Sequence, residues 1–119
     1  MNLVQCYHPD FSGGIGDFLR GACYLQKIAT QQGWKFYLDW QHHPIGRYIS
    51  NGDVDLPDYN KSQVLDFEML ALSMQEDIPM KIRYDTIIKR ICDNVDSNSD
   101  QTIAVSSFHL PDLYEKHPL

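Results

Sequence analysis

Hydrophobic and polar positions along this chain switch between two periods. Leu3, Val4, Cys6 and Tyr7 form a short apolar run, the pattern of a buried strand. His8, Pro9, Asp10, Phe11, Ser12, Gly13 and Gly14 are turn formers for the most part and read as a loop. Ile15, Phe18, Leu19, Ala22, Leu25 and Ala29 then recur at three- and four-residue spacing. That spacing predicts a helix over residues 16–32. Gly33 follows where a helix stop needs a left-handed residue. Residues 34–40, rich in aromatics, predict a second strand. Strand, loop, helix and strand in that order make a βαβ unit, with parallel strands and a right-handed crossover expected.

The remainder of the chain is less regular. Pro44 suits the start of a short helix through Ile49. Residues 51–63 are polar and acidic and read as a long loop. A helix is expected over residues 64–74. Ile78, Met80, Ile82 and Tyr84 alternate, which predicts a strand, and Pro79 assigns it to an edge or a strand start. Tyr84, Ile87, Ile88, Ile91, Cys92 and Val95 recur at helical spacing, with Asp85 as candidate N-cap. A polar loop over 93–101 leads to a buried strand over 102–106, and the tail from Phe108 has no clear period. The pattern implies one α/β domain spanning residues 1–119, a three-layer Rossmann-like sandwich with a mostly parallel sheet.

Charge narrows the function classes. A net charge of −6 argues against general nucleic-acid or anionic-membrane binding, though a local basic pocket for one phosphate is compatible with it. The three cysteines, Cys6, Cys23 and Cys92, are far apart and in apolar stretches, so three reduced, buried thiols of a cytoplasmic protein are expected. No spacing suggests a metal site. No apolar run approaches the roughly 18 residues needed to span a membrane. The start, up to Cys6, superficially matches a lipoprotein cleavage box but has neither a charged n-region nor an h-region. An unanchored cytosolic protein is expected.

The candidate chemistry centres on Gly13, Gly14, Gly16 and Asp17, between the first strand and the first helix. Glycines let a ligand approach backbone N–H groups closely, and the helix start adds unpaired donors and partial positive charge. Together they suit a phosphate or carboxylate, to which Arg20 adds a cation. The alternative is a sharp strand-to-helix turn, with Asp17 complementing the helix dipole and Arg20 solvated. A P-loop is excluded because no Lys-Ser or Lys-Thr follows the glycines. The dinucleotide fingerprint is half met: Gly14 and Gly16 fit, but Leu19 occupies the third glycine position. Asp39 stands where a ribose-binding acid would lie; it binds a sugar hydroxyl or caps the following turn. Trp40 stacks on a sugar or base, or forms a lid over the sheet edge. His42 and His43 follow the second strand, placed to act as acid or base, to hold a phosphate, or simply to lie on an exposed loop. Asp53, Asp55 and Asp58, and the run from Asp96 to Asp100, fail the EF-hand pattern. Ser106 and Ser107 lack a nucleophile-elbow context.

The run Gly13-Gly14-Ile15-Gly16-Asp17-Phe18-Leu19-Arg20, followed by Gly33-Trp34-Lys35-Phe36-Tyr37-Leu38-Asp39-Trp40, resembles the start of the fucosyltransferase superfamily, with closest likeness to nodulation-type α-1,6-fucosyltransferases. His43-Pro44-Ile45-Gly46-Arg47-Tyr48 sits where that family has a short segment after the strand. The resemblance covers residues 3–50. It implies the N-terminal half of a two-domain GT-B-like enzyme, using a GDP-sugar donor with no metal or other cofactor. The glycine loop would face the cleft between domains. The family's second domain carries a His-x-Arg signature, and no histidine here is followed two residues later by arginine. A fragment, or a domain that needs a partner, is therefore expected rather than a complete transferase. The rival expectation is a non-catalytic assembly module that forms a homodimer through an exposed sheet edge or an apolar face.

Overall fold

The computed structural model describes residues 1–7, 15–41, 44, 55–60, 63–95 and 101–106. Strand β1, Asn2–Cys6, is the middle of a three-stranded parallel sheet, with β2, Lys35–Asp39, on one side and β3, Thr102–Val105, on the other. Cys6 is in register with Asp39, and Gln5 with Leu38 and Val105. A single bridge from Leu65 extends the sheet beyond β3: Leu65 N–H donates to the Ala104 carbonyl at 2.9 Å, and Ser106 N–H to the Leu65 carbonyl at 2.8 Å. The parallel βαβ unit expected from the first forty residues is thus present.

Helix α1, Ile15–Gln32, buries Phe18, Ala22, Leu25 and Ala29, which lie four, three and four residues apart on one face. Leu19, counted with that stripe in the sequence pattern, is instead exposed. The helix ends as Gly33 dictates. This glycine has φ +74°, its N–H donates to the Thr30 carbonyl, and Trp34 N–H donates to the Ala29 carbonyl at 2.8 Å. That pair of bonds is a Schellman cap, and Trp34 packs into the core just past it.

Helix α2, Phe67–Leu72, is shorter than the expected 64–74, because Leu65 is drawn into the sheet and Asp66 then caps the helix by accepting Met69 N–H. Helix α3, Met80–Asn94, overturns two expectations. The residues of the strand expected over 78–84 instead lead into α3 and form its first turn. Met80 and Tyr84, which fit an alternating pattern, also lie four apart and extend the helical stripe toward Ile87, whereas Ile82 faces solvent. Asp85 lies inside the helix, and the cap position is Pro79, whose carbonyl accepts Ile82 and Arg83 N–H. Of the short helix expected at 44–49, only Pro44 lies among the described residues, and residues 51–54, 96–100 and the tail from residue 107 lie outside them.

Residues of α1, α2 and α3 share one core with Leu3 and Val105: Leu25, Ile28, Phe67, Ala71, Tyr84 and Ile87 all belong to it. The described helices therefore cover the same face of the sheet. Strand order explains this. From Leu65 to β3 and from β1 to β2 the chain steps in the same direction across the sheet, and two right-handed crossovers in one direction lie on one face. A second helix layer is not found among the described residues. The return from β2 to Leu65 crosses the whole sheet, and its residues 55–60 bring Tyr59 against Asp39.

Candidate functional site

The carboxyl ends of the three strands hold an unusual number of buried polar side chains. Gln5, Asp39 and Ser106 are each at most 3% exposed. Gln5 Nε2 donates to the Phe18 carbonyl at 3.0 Å, and the Tyr7 ring meets Phe18 edge-on at 5.6 Å. These contacts fix the first turn of α1 against the end of β1. The amino end of α1 therefore lies at the carboxyl edge of the sheet, where parallel α/β sheets take their ligands.

Asp39, the last residue of β2, has both carboxylate oxygens engaged. Oδ1 accepts the Gln41 N–H at 3.2 Å, which is the turn cap, and Oδ2 accepts the Tyr59 hydroxyl. Its carbonyl accepts Tyr7 N–H at 2.7 Å. Burial pushes the Tyr59 phenol well above its ordinary range, and the hydrogen bond to Asp39, the Asp39 charge and nearby Cys6 act in the same direction. Tyr59 is accordingly a fixed hydroxyl donor rather than a base. Cys6 is buried and its thiol donates to the Val105 carbonyl at 3.4 Å, a structural role.

Three polar atoms at this edge have no hydrogen-bond partner among the described residues: Gln5 Oε1, Trp40 Nε1 and Ser106 Oγ. One lies at the end of β1, one follows β2 and one follows β3. Buried polar atoms are almost always paired, so each is a point of incomplete hydrogen bonding; by strand alternation Gln5 faces α1 and Ser106 the opposite face of the sheet.

The residues expected to form the site divide as follows. Gly16 is the second residue of α1, exposed, and a Cβ built on it would meet nothing within 4 Å. Asp17 lies in the same first turn, and Arg20 projects from the exposed side of α1. Asp39 is committed to its turn and to Tyr59. Gly13, Gly14, His42 and His43 lie outside the described residues. Trp40 is half-buried with its indole N–H enclosed. Of the cysteines, Cys6 is buried but Cys23 is exposed and Cys92 half-buried, so the expectation of three buried thiols is corrected. The reason is that Cys23 occupies the outer side of α1, one residue from the Ala22 core position.

Sequence reasoning missed Tyr59 and Gln5, and set Ser106 aside as a nucleophile. Gln5 had a legible signal: a lone amide inside an apolar run that reads as a buried strand. Tyr59 had none, since its partner lies 20 residues away. Among the described residues no three His, Cys, Asp or Glu side chains come together, and no helix is long and apolar enough to cross a membrane. The chain matches no protein-family model, no curated protein and no solved structure.

Proposed function

We propose that this chain is a glycosyltransferase-type domain that binds a nucleotide sugar or a glycan acceptor at the carboxyl edge of its parallel sheet. It would correspond to the N-terminal, Rossmann-like half of a GT-B enzyme of fucosyltransferase type, acting in the cytoplasm and completed by a second domain or partner. The reading rests on the polar carboxyl edge of the sheet, where Gln5, Asp39 and Ser106 lie at or beside the ends of three neighbouring strands and Gln5 ties the first turn of α1 to β1. Sugar hydroxyls donate and accept at once and suit a polar edge of this kind. The amino end of α1, with Gly16 in its first turn and Arg20 on the same helix, supports a phosphate beside that sugar. Asp39 serves as the brace that orients Tyr59 and the turn at Gln41. Backbone N–H groups and Arg20 would stabilise charge on a departing diphosphate, and no metal or other cofactor is called for.

The test is calorimetric titration of the full chain with GDP and with GDP-fucose. Saturable binding that Arg20→Ala weakens at least tenfold, an effect of about 1.4 kcal/mol, is expected. No heat with either ligand, or binding indifferent to Arg20→Ala and Ser106→Ala alike, overturns the reading.

A second reading, an assembly module that forms a homo-oligomer, is favoured by one observation. Met69 and Leu72 of α2 and Ile82 of α3 are each more than half exposed. A stable dimer by sedimentation that Met69→Asp with Ile82→Asp dissociates, in a chain silent toward nucleotides, would favour it.

A further inference from the structure

Helix α2 buries Phe67 and Ala71, four residues apart, and turns Met69 and Leu72, three apart, to the other side, where each is more than half exposed. Ile82 is also more than half exposed and points away from the Tyr84–Ile87 stripe of α3. Arg83 joins the two helices at this point. It follows Ile82, and its Nη1 donates at 3.2 Å to the carbonyl of Ala71, which precedes Leu72. The exposed apolar side chains of α2 and α3 therefore adjoin on one outer surface. We propose that this surface docks a cationic amphipathic helix of a partner protein.

Charge selects the occupant. Residues 62–80 contain Asp66, Glu68, Glu76 and Asp77 and no lysine, arginine or histidine, so four uncompensated acids of a chain with net charge −6 fall in this one stretch. Glu76 and Asp77, in the loop after α2, are exposed, and so is Asp85, one turn past Ile82. The adjoining bases of α3 answer little of this. Lys81 is half-buried, and Arg83 is buried and spent on main-chain carbonyls. A field of this sign repels nucleic acid and anionic lipid. It also disfavours a second copy, because a two-fold contact sets the same patch against itself and brings like charges together.

A helix with leucines at three- and four-residue spacing and lysines on both flanks meets these demands. Its apolar stripe covers Met69, Leu72 and Ile82, while the flanking ammonium groups pair with Glu76, Asp77 and Asp85. Met69 contributes an unbranched thioether side chain, which adapts its shape to a partner.

The probe is a peptide of Leu-Lys-Lys-Leu-Leu-Lys-Leu repeated twice, with fluorescein at its amino end, titrated with the full chain and followed by anisotropy. The salt is set at about 0.15 M, where exposed charges more than about 8 Å away are screened. Saturable binding is expected, weakened by about tenfold or more by Met69→Ser with Leu72→Ser, and likewise by Glu76→Lys with Asp77→Lys. The same change of charge elsewhere, Asp55→Lys with Asp58→Lys, should alter binding by less than about twofold. The peptide with glutamate in place of lysine should not bind. All of these positions are exposed, so the variants are expected to fold, and circular dichroism checks it. The proposal is overturned by absence of binding, by binding that both α2 variants leave intact, or by a loss that Asp55→Lys with Asp58→Lys reproduces. It is overturned equally by a chain that sediments as a dimer which Met69→Ser with Leu72→Ser dissociates, since the face then belongs to a second copy. GDP titration reads the strand ends and Arg20, so the two results are independent.

Discussion

Gly16 and Gly33 bracket the same helix and answer to different demands. At Gly33 the backbone is left-handed, and a side chain there is strained whatever space surrounds it. Gly33→Ala is expected to cost about 1–2 kcal/mol in chemical denaturation. At Gly16 nothing crowds a Cβ, so the fold gives no reason for glycine. Gly16→Ala should leave stability unchanged or raise it by up to about 1 kcal/mol. If the same substitution weakens nucleotide binding, the glycine is there for the ligand; unchanged binding assigns it to the turn. The cysteines give a second residue-scale expectation. Alkylation followed by mass spectrometry should modify exposed Cys23 first. Cys92 should lag, because burial, with the neighbouring Asp93 charge adding to it, raises its thiol above the ordinary range. Early modification of Cys6 in the folded chain would contradict its placement.

At the scale of elements, Arg83 holds α2, the following loop and α3 together. Its side chain is buried, with Nε donating to the Ile78 carbonyl at 2.7 Å and Nη1 to the Ala71 carbonyl at 3.2 Å, near the end of α2. A cation at a helix carboxyl end, bonded to two carbonyls, suits both the dipole and the geometry. Arg83→Ala should lower stability by about 2–3 kcal/mol, and Arg83→Lys should recover only part of it, because lysine lacks the fork that reaches both oxygens. Nothing in the sequence announces this, since both partners are fixed by tertiary packing. By contrast α1 and β2 were legible to within a residue or two, because apolar period, residue propensity and the Gly33 stop all agree. The first turn of α3 was misread because periods of two and of nearly four coincide at Met80 and Tyr84. The carboxyl edge was legible only in outline. Asp39 could be placed from order alone, while Tyr59 and Ser106 depend on where the return crossing and the last strand come to rest.

At the scale of the whole molecule, two phenols link stability to pH. Tyr59 and Tyr24 are both raised above the ordinary value of 10.0. Burial is the larger cause in each, followed by Asp39 for Tyr59 and by Asp85 for Tyr24. The folded chain holds these protons more tightly than the unfolded chain. Stability is therefore fully present below pH 10 and declines as pH rises beyond it. Denaturation midpoints measured from neutral pH to about pH 11 should fall, and Tyr59→Phe should flatten the fall. At neutral pH that variant should cost about 1–3 kcal/mol, because it leaves one oxygen of buried Asp39 without its donor.

The middle strand of the sheet is made first and completed last. Asn2 pairs with Lys35 on one side but with Thr102 on the other. During synthesis β1, α1 and β2 can close early, whereas the opposite flank of β1 has no partner until β3 leaves the ribosome. Through that interval a nascent chain carries a bare apolar strand, the kind of surface that sticks to its neighbours or recruits a chaperone. Such long-separation pairing is also slow to form. Any shortening that removes β3 would fix the protein in that vulnerable condition, however well its opening unit folds.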